Sequence, residues 1–211
     1  MIGLILQSPS NSALFLESRR YAVPRTKRVF DVIVASSLFF LLLPLLLAIA
    51  LLIKVTSKGP VIYWSDRVGR NNQIFRMPKF RSMRIDTPQV ASHLLSDSTA
   101  YLTPIGSLLR RSSLDELPQL WSILVGDLSF VGPRPALFNQ DDLVAFRTER
   151  GIHILVPGLT GWAQVNGRDE LPISVKVQFD YEYLHRRSIR FDLAIICMTI
   201  SKVLHQEGVH H

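Results

Sequence analysis

The feature that most constrains this sequence is an apolar segment near its amino terminus. No residue from 32 to 53 carries a charge, and most of them are Leu, Ile, Val, Ala or Phe. A helix of this length covers about 30 Å, which is the thickness of the hydrocarbon core of a bilayer. The segment starts too late for a secretory signal peptide, and the residues before it lack the basic-then-apolar order of one. The sequence therefore predicts a membrane-associated helix followed by a globular part.

A proline and the flanking charges indicate how this helix meets the membrane. Proline removes a backbone hydrogen bond and clashes with the preceding turn, so a kink is predicted at Pro44. Both flanks are basic, with Lys27 and Arg28 before the segment and Lys54 and Lys58 after it. Since positive charge stays on the cytoplasmic side, this pattern suits a re-entrant helix that enters and leaves by one face. A bitopic helix that tolerates its proline is the alternative, and these features favour neither.

Charge and cysteine content narrow the possibilities further. The chain has 211 residues, of which Lys+Arg account for 24 and Asp+Glu for 17, giving a formal net charge of +7. Its mean hydropathy of +0.21 excludes a disordered chain, because disordered chains are polar. The positive charge implies an anionic partner: phospholipid headgroups, nucleic acid or a phosphorylated ligand. The single cysteine, Cys197, excludes an intramolecular disulfide and a zinc site built from cysteines.

Beyond the apolar segment, short strand patterns alternate with helical ones. The predicted strands cover residues 61–64, 74–83 and 128–131. The predicted helices cover residues 105–111, 113–126, 141–150, 175–185 and 191–204. A Gly-rich loop is predicted over 157–168. The expected fold class is α+β, an α-rich compact domain with a few short strands over residues 59–211. It follows an N-terminal extension (1–24) and the kinked membrane-associated segment with its basic flanks (25–58).

Two adjacent carboxylates, Asp115 and Glu116, follow a pair of arginines. Ser113 to Glu116 fits a capping box, in which Glu116 would bond back to the Ser113 amide and take no part in chemistry. However, successive helical residues point about 100° apart, so both carboxylates cannot serve one cap. Arg110 and Arg111 can hold an anion beside a carboxylate, and a helix start favours phosphate. The combination predicts phosphoryl chemistry, with a carboxylate attacking phosphorus while arginine and Mg²⁺ neutralise the oxygens.

Four further side chains are candidates for binding an anion or a substrate, and each has a simpler explanation. Arg134 lies between two prolines that hold it extended, which fits either a preorganised phosphate ligand or an ordinary surface turn. Lys79 and Arg81 flank Phe80 and are both predicted on the strand face opposite it, where a solvated face explains the same pattern. Asp180 lies in a predicted helix, where a surface charge is the alternative. The six histidines have no metal-binding spacing.

Together these motifs resemble the bacterial sugar transferase family, the monotopic polyprenyl-phosphate phosphoglycosyl transferases, in its short form. The matching segments are KFRSM at 79–83, SLDELPQL at 113–120, GDLSFVGPRP at 126–135, PGLTGWAQVNGR at 157–168 and the tail from Asp180 to Leu193. The resemblance extends over residues 25–204. Motifs of this length, in the order found in the family, are poorly explained by chance.

The resemblance implies an enzyme that moves a phospho-sugar from a UDP-sugar to polyprenyl (undecaprenyl) phosphate and releases UMP. It places the enzyme at the first membrane step in the synthesis of an exopolysaccharide, O-antigen, capsule or glycoprotein glycan. By the same resemblance Asp115 is the nucleophile that forms a covalent phospho-sugar intermediate, Glu116 is its partner, and both bind Mg²⁺. The substrate-binding positions implied are Lys79, Arg81, Arg110, Arg134 and Asp180.

The resemblance also gives expectations for the anchor and for location. In the family the re-entrant helix breaks near a Ser-Pro pair, and here the break is expected at Pro44, although Ser36 and Ser37 stand apart from it. The catalytic domain, residues 59–211, would lie on the cytoplasmic face of the inner membrane. The expected partners are the UDP-sugar, polyprenyl phosphate and membrane lipid, with downstream glycosyltransferases and a second copy of the chain as protein partners, and no nucleic acid.

Two other functions fit parts of the sequence. A non-enzymatic, membrane-anchored basic module that binds anionic lipid or nucleic acid explains the charge and the anchor, but it does not need Asp115 or Glu116. A glycoside hydrolase would use two carboxylates about 5–9.5 Å apart across a sugar, and neighbouring residues at a helix start are badly placed for that. The paired carboxylates therefore favour phosphoryl transfer over both.

Overall fold

The computed structural model describes residues 24–87, 99–167 and 171–204. The predicted extension at 1–24 therefore lies outside the described residues except for Pro24, as does Arg168 at the end of the PGLTGWAQVNGR motif. The helices are α1 (Arg25–Thr56), α2 (Gly106–Arg111), α3 (Gln119–Val125), α4 (Asp141–Glu149), α5 (Trp162–Val165), α6 (Ile173–Arg186) and α7 (Ile189–Leu204). The strands are β1 (Ile62–Val68), β2 (Ile74–Phe80), β3 (Ser129–Val131), β4 (Ala136–Leu137) and β5 (Gly158–Thr160). This mixture of many helices with a few short strands confirms the expected α-rich α+β class.

Helix α1 contains the apolar segment and is helical from end to end. Its 32 residues correspond to about 48 Å at 1.5 Å per residue, and it is long and apolar enough to cross a membrane by length and composition. Pro44 lies within it. The break expected at that proline stays a prediction.

One stripe of α1 packs against the globular part along most of the helix. The buried positions are Asp31, Ala35, Leu46, Ile49 and Ile53. Their separations of 3, 4 or 11 positions each approach a whole number of helical turns, so they share one face. Ala35 belongs to the main core, and the last three belong to a second cluster that is completed by Phe80 and Leu109. The large exposed apolar residues of α1 are Val29, Ile33, Phe40, Leu41, Leu45, Leu47, Leu51, Leu52 and Val55.

The amino-terminal end of α1 is attached to the globular part by polar contacts. Arg28 donates to the carbonyls of Ile123 and Leu124, at the end of α3. The ammonium of Lys27 lies 2.5 Å from a carboxylate oxygen of Asp192 in α7. Because these partners come from two different helices, the start of α1 is fixed in both position and direction.

The carboxyl-terminal end of α1 is attached to the same body through Arg81. This side chain is only 5% exposed, and it donates to the hydroxyl of Ser57 at 2.8 Å and to the carbonyl of Lys58. Strand β2 ends at Phe80, so Arg81 does not continue the strand face as the sequence predicted. Both ends of α1 are therefore bound by one globular body.

Two small sheets support the segments between the helices. The first has the strand order β2-β1-β4, and its antiparallel hairpin pairs Tyr63 with Lys79 and Arg67 with Phe75. The second pairs β3 with β5 in parallel. The prediction of a loop over 157–168 is therefore wrong, because this segment contains β5 and α5.

The glycines in that segment explain the error. A Cβ added at Gly158 would lie 2.1 Å from the nitrogen of Gly132. These glycines therefore permit two backbones to approach closely, which is one of the reasons for which glycine occurs in strands. In the sequence alone, such glycines cannot be distinguished from the glycines of an open loop.

Candidate active site

Asp115 and Glu116 lie in one turn of 3-10 helix, Leu114–Glu116, between α2 and α3. The sequence predicted a single helix from Ser113 onwards. Instead Ser113 has a left-handed φ of 55°, and α3 starts only after Pro118, whose nitrogen has no hydrogen to donate. The segment is therefore a short, sharply bent connection that presents two consecutive carboxylates between two helices.

The capping-box explanation for Glu116 is not supported by the structure. Ser113 makes no side-chain capping hydrogen bond. The carboxylate of Glu116 instead accepts a hydrogen bond from the ammonium of Lys79 at 2.7 Å. Lys79 lies on β2, on the face opposite the buried Phe80, as predicted. An ion pair between a strand and the 3-10 turn thus replaces the local cap.

The two carboxylates are in different electrostatic environments. Burial raises the pKa of Asp115 to about 6, a shift that the charge of Lys79 opposes and the charge of Glu116 reinforces. Burial alone would also raise the pKa of Glu116, but the positive charges of Lys79 and Arg134 outweigh burial and lower it to about 2. Asp115 is therefore the more basic of the two, which suits a nucleophile, while Glu116 stays ionised.

Four cationic side chains act on this pair of carboxylates. Lys79 and Arg110 lower the pKa of Asp115, while Lys79, Arg134 and Arg67 lower that of Glu116. Several cations around two carboxylates are suited to hold the charges of a diphosphate. The structure thus brings together the predicted residues Lys79, Arg110, Arg134, Asp115 and Glu116.

Sequence reasoning missed Arg67, the fourth cation. In the β1–β2 hairpin its partner is Phe75, and residues 75, 77 and 79 of β2 share a face, so Arg67 and Lys79 are on the same side of the sheet. Its guanidinium donates to the hydroxyl of Ser65 at 3.0 Å. The alternation along β1 could have identified Arg67, but only with the pairing register known.

Asp180 and Arg81, two other predicted site residues, have protein partners. Asp180 is 1% exposed and pairs with Arg147, whose closest nitrogen is 2.6 Å from its carboxylate. Arg81 binds the end of α1, as described above. The substrate-binding roles expected for both residues stay predictions. Arg147 was not identified from the sequence, since nothing there distinguishes it from Arg150 nearby.

By themselves, Asp115 and Glu116 supply only part of the ligand set of a hard divalent cation. Within the described ranges, no group of three or more His, Cys, Asp or Glu residues could hold a metal ion. Mg²⁺ commonly takes one or two carboxylates and completes its shell with water and substrate phosphates. Asp115 and Glu116 therefore match a cation that a phosphorylated substrate helps to bind, and not a cation held by protein ligands alone.

Comparison with known proteins shows the family to which the chain belongs. The chain matches the family described as bacterial sugar transferase over residues 22–206. It is 41% identical over 194 residues to a UDP-glucose:undecaprenyl-phosphate glucose-1-phosphate transferase from Xanthomonas campestris pv. campestris, covering 87% of this chain and 40% of that protein. It is 37% identical over 185 residues to the UDP-N-acetylgalactosamine-undecaprenyl-phosphate N-acetylgalactosaminephosphotransferase of Aeromonas hydrophila, covering 84% and 43%.

A shorter relative matches over almost its whole length. The chain is 35% identical over 199 residues to the exopolysaccharide production protein ExoY of Sinorhizobium fredii, and the match covers 87% of each protein. The chain belongs to the bacterial sugar transferase family, which confirms the resemblance. It spans about 40% of the length of the two larger relatives.

Proposed function

We propose that this protein transfers a phospho-sugar from a UDP-sugar to undecaprenyl phosphate and releases UMP. The observation that carries this proposal is the buried Asp115 beside the ionised Glu116, with the charges of Lys79 and Arg110 acting on Asp115 and those of Lys79, Arg134 and Arg67 acting on Glu116. Membership of the family and the names of two relatives support this donor and acceptor. The exopolysaccharide role of the shorter relative supports a place in the synthesis of a surface glycan.

The reaction proceeds in two displacements at one phosphorus atom. A carboxylate oxygen of Asp115 attacks the phosphorus that bears the sugar. That phosphorus–oxygen bond forms as the bond to the oxygen bridging the two phosphates breaks, and UMP leaves. A phosphate oxygen of undecaprenyl phosphate then attacks the same phosphorus and displaces Asp115 as a carboxylate. No proton need be transferred to Asp115, because it starts and ends ionised.

The neighbouring cations allow a negatively charged substrate to react next to two carboxylates. Lys79 and Arg134 offset the charge of Glu116, so that a diphosphate can approach two carboxylates. Asp115 and Glu116 would together hold Mg²⁺, which when bound supplies further positive charge to the phosphate oxygens. The raised pKa of Asp115 indicates a carboxylate that is poorly solvated and so a better nucleophile than one in water.

The anchor is re-entrant in this proposal, with its break at Pro44 and with residues 59–211 as a catalytic domain on the cytoplasmic face of the inner membrane. Lys27 and Arg28 at one end of α1, and Ser57 and Lys58 at the other, contact the same globular body. A helix whose two ends bind one body is easier to reconcile with a single membrane face than with opposite faces. The water-soluble UDP-sugar and the lipid-embedded acceptor would then meet at the membrane surface.

A labelling experiment tests the anchor. Cys197 is exposed, so it is first replaced by serine, and Thr26→Cys or Thr56→Cys is then introduced in intact cells. Re-entry requires that an impermeant maleimide labels neither position from outside, and that both react after the cytoplasm is opened. Labelling of one position from outside would show a helix that spans the membrane.

A donor screen tests the activity. The purified protein in lipid nanodiscs is mixed with individual UDP-sugars, undecaprenyl phosphate and Mg²⁺, and released UMP is measured. Without acceptor, mass spectrometry of the tryptic peptide that contains Asp115 should show the mass of one added phospho-sugar. An adduct on another residue would overturn the covalent route. Absence of UMP with every donor, together with equal binding of anionic vesicles by wild type and Asp115→Asn, would instead support the non-enzymatic basic module.

A further inference from the structure

Arg147 connects two segments of the site that are distant in sequence. Its Nε and Nη2 donate to one carboxylate oxygen of Asp180 at 2.9 and 2.6 Å. Its Nη1 donates to the backbone carbonyl of Arg134 at 2.8 Å. One planar guanidinium on α4 therefore links α6 to the loop that carries Arg134.

The burial of this ion pair determines how Asp180 can act. The side chain of Asp180 is 1% exposed and that of Arg147 is 11% exposed. A substrate in the site cannot touch a carboxylate with so little exposed surface. Any effect of Asp180 on the reaction is therefore indirect, and the side chain that it binds by hydrogen bonds is Arg147.

The loop with Arg134 needs an external contact to set its orientation. Pro133 and Pro135 make it stiff, but neither has a backbone N–H that could bind the loop to a neighbour. On one side the loop is held to β5, where Gly158 donates to the carbonyl of Pro133 at 2.9 Å. Arg147 holds the next carbonyl, that of Arg134, from α4, and Arg67 donates to that of Pro135 at 3.4 Å.

We propose that Arg147, held in place by Asp180, is a positioning residue that orients the Arg134 loop toward Asp115 and Glu116. Asp180 then serves the site by fixing Arg147 and does not contact substrate. The effect on catalysis rests on the proposed function, which gives Arg134 a phosphate to bind. The mechanical link between Arg147 and the loop does not depend on that function.

Hydrogen exchange measures the mechanical link without any substrate. In the full-length protein in nanodiscs, Arg147→Gln and Arg147→Lys should make the peptide over 132–138 exchange about tenfold faster. Lysine keeps a positive charge opposite Asp180 but has no planar guanidinium to bridge Asp180 and the carbonyl of Arg134. Arg147→Lys therefore tests the loss of this bridge even if Arg147→Gln perturbs the whole fold. The exchange of peptides from α1 and α3 should not change in either variant. Arg150→Gln, at an exposed arginine near the end of α4, is the matched control and should leave the exchange over 132–138 unchanged. Unchanged exchange over 132–138, or a uniform increase in Arg147→Lys, would overturn the proposal.

A double-mutant cycle measures the link to catalysis. Arg134→Gln and Arg147→Gln should each raise KM for the UDP-sugar about tenfold, and Asp180→Asn should reproduce the Arg147 variant. Because Arg147 acts through Arg134, the double variant should have the KM of Arg134→Gln alone. If the increases in KM of the two single variants multiply in the double variant, the two arginines act independently, which would contradict the proposal. If the wild type releases no UMP from any donor, the proposed function fails, while the exchange experiment still decides the positioning role.

Discussion

The ammonium of Lys79 lies 2.7 Å from a carboxylate oxygen of Glu116, which ties the β1–β2 hairpin to the turn that carries both site carboxylates. This contact separates the properties of two adjacent acids. Glu116 is paired with Lys79 and keeps its charge, whereas Asp115 beside it is only 9% exposed. The difference between them comes from the tertiary structure, because in sequence they are simply neighbours.

Replacing the nucleophile should remove activity. Asp115→Asn keeps the size of the side chain but leaves no carboxylate to attack phosphorus, so UMP release should fall by about 10³-fold or more. Asp141→Asn, at an exposed carboxylate at the start of α4, is the control and should retain full activity. Normal turnover in Asp115→Asn would exclude a covalent intermediate at this residue.

The same substitution should stabilise the folded protein. A pKa of about 6 in place of 3.8 means that the folded state binds the proton more tightly than the unfolded state. Asp115 therefore costs the folded state no free energy below its unfolded pKa, and the cost grows as pH rises from about 4 to about 6, above which it stays at about 2–3 kcal/mol. Asparagine has no charge to desolvate, so thermal unfolding at pH 7.5 should occur at higher temperature in Asp115→Asn. An equal Tm at pH 7.5 would show that the native environment of Asp115 does not disfavour its charge.

Local patterns in the sequence predicted most helices and the two strands that form the hairpin, and they found the carboxylates with three of the four cations around them. They did not find Arg67 or Arg147. Both act through partners that are far away in the chain, such as Asp180, and a local pattern contains no information about such partners. The helix prediction at Ser113 failed for a related reason. A left-handed serine is unfavourable by itself and is maintained by the structure around it.

Activity should depend on the ionisation of Asp115. Only its carboxylate can attack, so single-turnover release of UMP should fall about tenfold per pH unit below a pH of about 6. Glu116, with a pKa of about 2, stays ionised throughout this range. Since the charge of Lys79 lowers the pKa of Asp115, Lys79→Met should move the acid limb to higher pH. An acid limb at the same pH in both proteins would show that another group controls it.

The guanidinium of Arg134 should be required for its shape as well as its charge. Lysine keeps the charge but loses the two parallel donors that match a phosphate, so Arg134→Lys should raise KM for the UDP-sugar about tenfold. Initial rates of UMP release over a range of donor concentrations give both KM and kcat. Arg190→Lys, an exposed arginine in α7, serves as the comparison. If KM and kcat of Arg134→Lys both equal those of the wild type, this arginine does not bind the donor.

The parallel pairing of β3 with β5 should be sensitive to a single methyl group. A Cβ at Gly158 would lie 2.1 Å from the nitrogen of Gly132, which is backbone and cannot move aside as a flexible side chain would. Gly158→Ala should therefore destabilise the fold by about 3 kcal/mol or more, measured by chemical unfolding in detergent. At Gly151 a Cβ would meet nothing within 4 Å, and only its φ of +70° is unfavourable for alanine. Gly151→Ala should cost only about 1 kcal/mol, so similar losses in the two variants would contradict the close backbone approach.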